Sequence, residues 1–166
     1  MSIKQSFPSI NDFAVSWADI AITFTVPGGL TLTGDDVASI KWSRKVDVGE
    51  QRGASGGRVM ARTLGSGTQE ASANFYRPGL SKLEDALAAV APSRGNQKII
   101  SAVGFDILIQ HTPLGSSLIY TTKIKGCRYL GDSDDNKEGN DADQIEVTLN
   151  PIEIVRIKNG VEIVLL

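Results

Sequence analysis

The 166-residue chain predicts a mainly β fold with one short α-helix, a sandwich or barrel in a single domain spanning 1–166. Three observations carry that prediction. Most apolar residues recur with period two, the spacing of a half-buried strand. One segment alone carries a helical stripe, Leu80, Leu83, Leu87 and Val90. The alternating segments are separated by turn chemistry, among it Pro27-Gly28-Gly29 and Asn159-Gly160, the latter a strong two-residue hairpin signal.

In chain order, residues 1–18 have scattered apolar positions without period and are expected to form an extended leader. Asp19 to Val26 places Ile20, Ile22, Phe24 and Val26 on one face. Val37 to Val46 is a second strand, with Ile40 and Trp42 inward and Lys41, Ser43 and Lys45 outward. Residues 44–67 interleave glycines with basic residues and are expected to be a long loop, an arm that orders against a neighbouring subunit, with the part near Arg52 to Arg58 poorly ordered in the free subunit. Thr68 to Tyr76 is a strand whose inward face is small (Ala71, Ala73) until Phe75. The helix is expected over 81–91, with Ser81 and Glu84 at capping-box spacing and Pro92 closing it. Ile99 to Gln110 and Leu118 to Leu130 then form a long hairpin. An acidic tip, Gly131 to Asp143, leads into Gln144 to Asn150, and Pro151 interrupts the ladder because proline cannot donate to it. Ile152 to Lys158 and Val161 to Leu166 close the chain as a hairpin.

Composition narrows the function classes. A formal net charge of −2 argues against a dedicated duplex-DNA binder. A single cysteine, Cys127, cannot form an intrachain disulfide and reads as a small buried hydrophobe. No apolar run approaches the ~20 residues of a membrane span, and the N-terminal residues lack the apolar core of a signal peptide. The chain is therefore expected to be made in a cytoplasm, with no membrane insertion.

Catalytic and ligand-binding patterns are sparse. His111, the only histidine, has no Gly-x-Ser-x-Gly motif to accompany it and reads as structural. Gly53-Ala-Ser-Gly-Gly-Arg58 lacks the lysine and the Ser/Thr of a phosphate loop. The tip from Asp132 to Asp143 has oxygen ligands at alternate positions, but Lys137 and Asp143 stand where an EF-hand needs glycine and a bidentate glutamate. No catalytic residue, cofactor or metal is expected. A small-molecule or glycan-binding barrel lined by Trp17, Trp42 and Tyr129 is the alternative of a different class.

Charge is unevenly distributed. Arg44, Lys45, Arg52, Arg58 and Arg62 make the arm basic. Asp132, Asp134, Asp135, Glu138, Asp141 and Asp143 make the tip acidic. If arm and tip occupy different ends, complementary charge supports head-to-tail association between copies; within one subunit the two could equally neutralise each other. Reversing Asp134 and Asp135 to lysine is expected to impair stacking and leave the monomer fold intact.

The order of these pieces is similar to that of a known family. Ser16-Trp-Ala-Asp-Ile-Ala-Ile22 leads into the first strand, and Ile40-Lys-Trp-Ser43 precedes the arm with Arg62-Thr-Leu-Gly65. Ala71-Ser-Ala-Asn-Phe75, a short helix, the tip Glu138-Gly-Asn-Asp-Ala-Asp143 and Ile145-Glu-Val-Thr-Leu-Asn-Pro151 follow. The chain resembles the tail tube proteins of long-tailed, chiefly contractile-tailed bacteriophages, which are akin to the type VI secretion tube protein. The resemblance implies hexameric rings that stack into a hollow conduit for DNA, with strands of neighbouring subunits joined in one barrel around the lumen. It implies a virion protein assembled in the host cytoplasm. Its implied partners are itself, the tail sheath, the tape-measure protein, the baseplate hub and the tail terminator, with DNA passing unbound through the lumen. Another β-rich tail or baseplate component is the alternative within the same machine.

Overall fold

The structure, a computed structural model, describes residues 20–26, 29–32, 36–54, 56–112, 119–139 and 142–165. The expected leader 1–18, the turn residues Pro27 and Gly28, and Asp141 lie outside the described residues. Twelve strands and one α-helix follow in the order β1 (Ile20–Thr25), β2 (Leu30–Leu32), β3 (Val37–Arg52), β4 (Val59–Tyr76), α1 (Arg77–Val90), β5 (Ser93–Arg94), β6 (Gln97–Lys98), β7 (Phe105–His111), β8 (Tyr120–Cys127), β9 (Tyr129–Asp134), β10 (Gln144–Leu149), β11 (Glu153–Lys158) and β12 (Val161–Ile163). A six-stranded sheet has the order β12-β11-β8-β7-β1-β2, and a four-stranded sheet the order β3-β4-β10-β9. Every pairing is antiparallel. Among the described residues the sheets do not close on themselves, so their architecture is a mainly β, one-helix sandwich.

Alternation builds the core. Phe24, Ile107, Ile124 and Ile154 stand abreast across the six-stranded sheet, each at most 1% exposed. On the four-stranded sheet Phe75 pairs with Ile145, while Ala71 and Ala73 stand opposite Trp42 and Ile40 and leave those larger side chains room. Phe24 lies 6.0 Å from Phe75 and 5.9 Å from Phe105 between ring centroids, both tilted, and joins the aromatic centre. Cys127 is fully buried in this cluster, and burial pushes its thiol up to about 12.

The helix begins one turn earlier than its sequence signals indicated. Ser81 and Glu84 lie inside it, no side chain caps its N-terminus, and Tyr76 in extended conformation precedes it. Pro78 explains the start, because its fixed φ and missing N–H suit a first turn. A Cβ on Gly79 would fall 2.3 Å from the Asp36 carbonyl oxygen, so only glycine lets the helix settle there. Lys82 reinforces that contact with a 2.9 Å ion pair to Asp36. Leu80, Leu83 and Leu87 face the core as expected, whereas Val90 is 40% exposed.

Two strands also differ from expectation. The segment from Ile99 contributes a 3₁₀ turn, Ile100–Ala102, before β7 begins, and a two-residue hairpin around Gly95 precedes it. Residues 118–130 do not form one strand. β8 pairs with β7, as a hairpin should, and β9 then crosses to the other sheet. The inward positions step from Ile124 to Cys127, three residues rather than two, and that shift is the bulge at the crossing. Arg128 and Asn150 exchange backbone hydrogen bonds at this corner, where β10 also gives way to β11. Gly126, at φ +65°, packs under Ile152, and a Cβ there would lie 2.6 Å from its Cδ1. The closing hairpin turns on Asn159 and Gly160, both at positive φ as the type I′ turn requires.

Candidate assembly surfaces

The arm is a regular β-ribbon and not the irregular loop expected. β3 and β4 stay paired from Val37–Phe75 out to Arg52–Val59, with irregularities near Asp47 and Gln51. β-Branched residues (Val46, Val48, Val59, Thr63) occupy the ladder. The glycines fall where a ribbon uses them: Gly56 and Gly57 take positive φ in the end turn, and Gly65 sits in the bulge, where a Cβ would lie 2.8 Å from the Asp47 carbonyl. The Gly53 N–H closes the turn onto the Arg58 carbonyl at 3.0 Å. From Arg44 to Arg52 the ribbon runs roughly 25 Å at about 3.3 Å per residue. Beyond Val46 nearly every residue of it is exposed on both faces.

Arm and tip lie at opposite ends of the four-stranded sheet. The tip joins β9 to β10 where Gln144 faces Tyr76. The arm leaves past the other end, beyond Leu149, Ala71 and Trp42. Their charges are therefore not spent on each other. Within the arm, Glu50 accepts from Arg52 at 3.1 Å and lies 4.0 Å from Arg62, and Lys45 lies 3.6 Å from Asp47. Arg58 has no side-chain partner among the described residues. At the tip, Lys137 pairs with Asp135 at 2.9 Å.

Two sequence-derived site residues work within their own subunit. Arg44 donates to the Ile154 and Ile163 carbonyls at 3.1 and 3.0 Å. Gln69, directly opposite Arg44 in the ribbon, accepts from the Ile154 N–H. β12 covers β11 only from Arg156 to Lys158, so these two side chains satisfy a stretch of β11 edge that lacks a neighbouring strand. Asp134 accepts from Arg77 at 2.9 Å, and Arg77 also reaches Asn136 and, at 3.5 Å, Asp143. Arg77 thus braces the tip against the helix N-terminus, a role its sequence position did not signal. Asp134 reversal would break this brace, so it cannot test stacking alone. Burial, with the hydrogen bond that Asp132 accepts from the Tyr129 hydroxyl at 2.5 Å, raises the phenol pKa, and burial with nearby Asp132 and Asp85 raises the Glu84 carboxyl.

The residues weighed for ligand chemistry do not converge. The His111 ring makes no hydrogen bond or ion pair among the described residues, and no group of three His, Cys, Asp or Glu there is arranged around a metal. Trp42 borders an open cleft with Leu130, while Tyr129 is buried in the core and Trp17 lies outside the described residues. Among the described residues no helix is long and apolar enough to cross a membrane.

No protein-family model matches the chain, and no curated protein matches its sequence. Solved structures do match its fold. A chain of the sheath–tube complex of an extracellular contractile injection system, PVC, in the extended state superposes with a TM-score of 0.62 at 14% identity, covering 89% of this chain and 93% of its own. A chain of the PVC sheath/tube terminator gives 0.64 at 15%, covering 90% and 100%. A chain of the anti-feeding prophage baseplate gives 0.61 at 10%, covering 95% and 100%. The fold is that of chains found in contractile injection systems.

Proposed function

We propose that the chain is a structural subunit of a contractile tail, self-associating into rings, hexameric in the simplest case, that stack into a hollow tube. The observation that carries this reading is a fold shared over nearly the whole chain with parts of contractile injection systems, joined to an exposed arm and an oppositely placed acidic tip. Arm and tip at opposite ends support head-to-tail stacking, which builds open filaments rather than closed pairs. Strand edges left unpaired among the described residues, at β2, β12, β3 and β9, are surfaces that ring closure would cover. A net-negative chain suits a conduit that lets DNA pass, since clustered lysine and arginine would hold phosphates by counterion release. In this reading the protein is not an enzyme. It resides in the virion tail after assembly in the host cytoplasm, and it meets sheath, tape-measure, baseplate hub and terminator proteins.

Electron microscopy of the purified protein tests the proposal: long hollow filaments are expected, and monomers under all assembly conditions would overturn it. The likeness to a terminator and a baseplate chain supports a second reading, a ring component at one end of the tube, for which single rings are the expected image. Limited trypsin digestion gives a second test. Arg52 and Arg58, exposed in the free subunit, are expected to be protected in filaments; equal cleavage in both states would remove the arm from the interface.

A further inference from the structure

The C-terminal hairpin is held by its register. β12 meets β11 in three pairs, Arg156–Ile163, Ile157–Glu162 and Lys158–Val161. It adds no buried side chain of its own, with Val161 and Ile163 64% and 45% exposed. Two polar contacts fasten it: Arg44 donates to the Ile154 and Ile163 carbonyls, and Lys125 reaches Glu162 at 2.6 Å. Both contacts require β12 to stand in this one register, and the two-residue turn at Asn159 and Gly160 sets it. That turn is also a chemical weak point. It is the only Asn-Gly pair in the sequence, and a glycine after asparagine leaves its backbone nitrogen unshielded by any Cβ. Both residues are exposed, and neither the Asn159 side chain nor the Gly160 N–H is hydrogen-bonded among the described residues. The other described asparagines, Asn74, Asn96, Asn136 and Asn150, do not precede glycine. Asn74 and Asn136 are hydrogen-bonded as well, to Ser39 and Arg77.

We propose that Asn159 is a site of spontaneous deamidation, with water as the only co-reactant, and that its isoaspartate product releases β12 from the six-stranded sheet. The Gly160 amide nitrogen attacks the Asn159 Cγ. An N–Cγ bond forms, the Cγ–Nδ2 bond breaks, and ammonia departs with the proton from the Gly160 N–H. Water then opens the succinimide ring at either carbonyl. Opening at Cγ yields aspartate, which keeps the backbone length and suits the same turn, since Asp-Gly also accepts positive φ at both positions. Opening at the main-chain carbonyl yields isoaspartate, which routes the chain through Cβ and adds a methylene to a two-residue turn. The added atom moves Val161 out of register with Lys158, so the Arg44 and Lys125 contacts to β12 are lost together. β11 is then bare along the edge that β12 covered from Arg156 to Lys158. The reaction belongs to the single subunit and is independent of what it assembles into.

The test incubates the purified wild-type chain over days in mildly alkaline buffer at body temperature, beside Asn159→Asp and Asn159→Gly. The C-terminal tryptic peptides that contain position 159 are expected to gain about 1 Da in the wild type. They are expected to separate by chromatography into aspartate and isoaspartate forms, only the latter accepting a methyl group from protein isoaspartate methyltransferase. In the isoaspartate fraction, amide exchange at Val161 and Ile163 is expected to accelerate about tenfold or more, with exchange in β7 unchanged. Fresh Asn159→Asp carries the new charge on an unaltered backbone and is expected to keep β12 protected. Asn159→Gly lacks the carboxamide, retains a turn suited to the hairpin, and is expected to stay protected throughout. No mass gain at position 159, or isoaspartate without faster exchange in β12, overturns the inference. So does release of β12 in fresh Asn159→Asp, or an equal loss of protection with time in Asn159→Gly.

Discussion

Arg44 shows how one side chain changes role between a basic-arm reading and a folded subunit. Its charge suggested an outward partner, yet its guanidinium is occupied by the Ile154 and Ile163 carbonyls, with Gln69 opposite completing the contact. The Ile154 carbonyl is partly buried on a stretch of β11 edge that β12 does not cover, so losing the donor leaves it unsatisfied, whereas the Ile163 carbonyl is exposed. Arg44→Ala is expected to lower stability by about 1–2 kcal/mol and to increase amide exchange in β11 and β12, measured by mass spectrometry. Arg58, which has no side-chain partner among the described residues, is expected to tolerate alanine without any shift in melting temperature.

At the scale of elements, α1 and the acidic tip share one electrostatic environment. Glu84 is partly buried beside Asp132 and Asp85, which raises its carboxyl pKa, while Arg77 draws Asp134 and Asp143 to the helix start. A carboxyl raised on folding favours the folded state most when protonated. That contribution is full below the unfolded carboxyl range, about pH 4.3 for glutamate, and is lost as pH rises through the folded value. Glu84→Gln is therefore expected to raise stability at pH 7 by at most about a few tenths of a kcal/mol after solvent screening, seen as a slightly higher melting temperature. The gain should disappear on acidification below about pH 4, as thermal denaturation across pH will show.

For the whole molecule, the ribbon beyond Val46 and Gly67 contributes almost nothing to its own subunit's core. Replacing 47–66 by Asn-Gly, a turn suited to closing β3 onto β4, is expected to leave the melting temperature within a few degrees of the original. The same change is expected to abolish filaments in electron micrographs. A large loss of stability would instead mean that the ribbon supports the body. On the proposed function, stability and assembly are expected to separate along the chain, the first with the sandwich and the second with the arm.

Much of this was legible in the sequence, because period-two burial is local. The inward sets Ile22/Phe24/Val26, Ile107/Ile109 and Ile145/Val147/Leu149 follow directly from alternation, as do the Asn159-Gly160 turn and the buried stripe of α1. The arm's location and its basic character were likewise evident, although its glycines concealed a regular ribbon whose turn and bulge need them. Tertiary structure alone decided which strands belong to which sheet, since the crossings at Arg128–Asn150 depend on backbone pairing between segments far apart in the chain. It also decided which charges remain available. Arg44 and Asp134 read identically to their neighbours in sequence, but a hydrogen bond is a matter of distance, and folding brought each within reach of a partner in its own subunit.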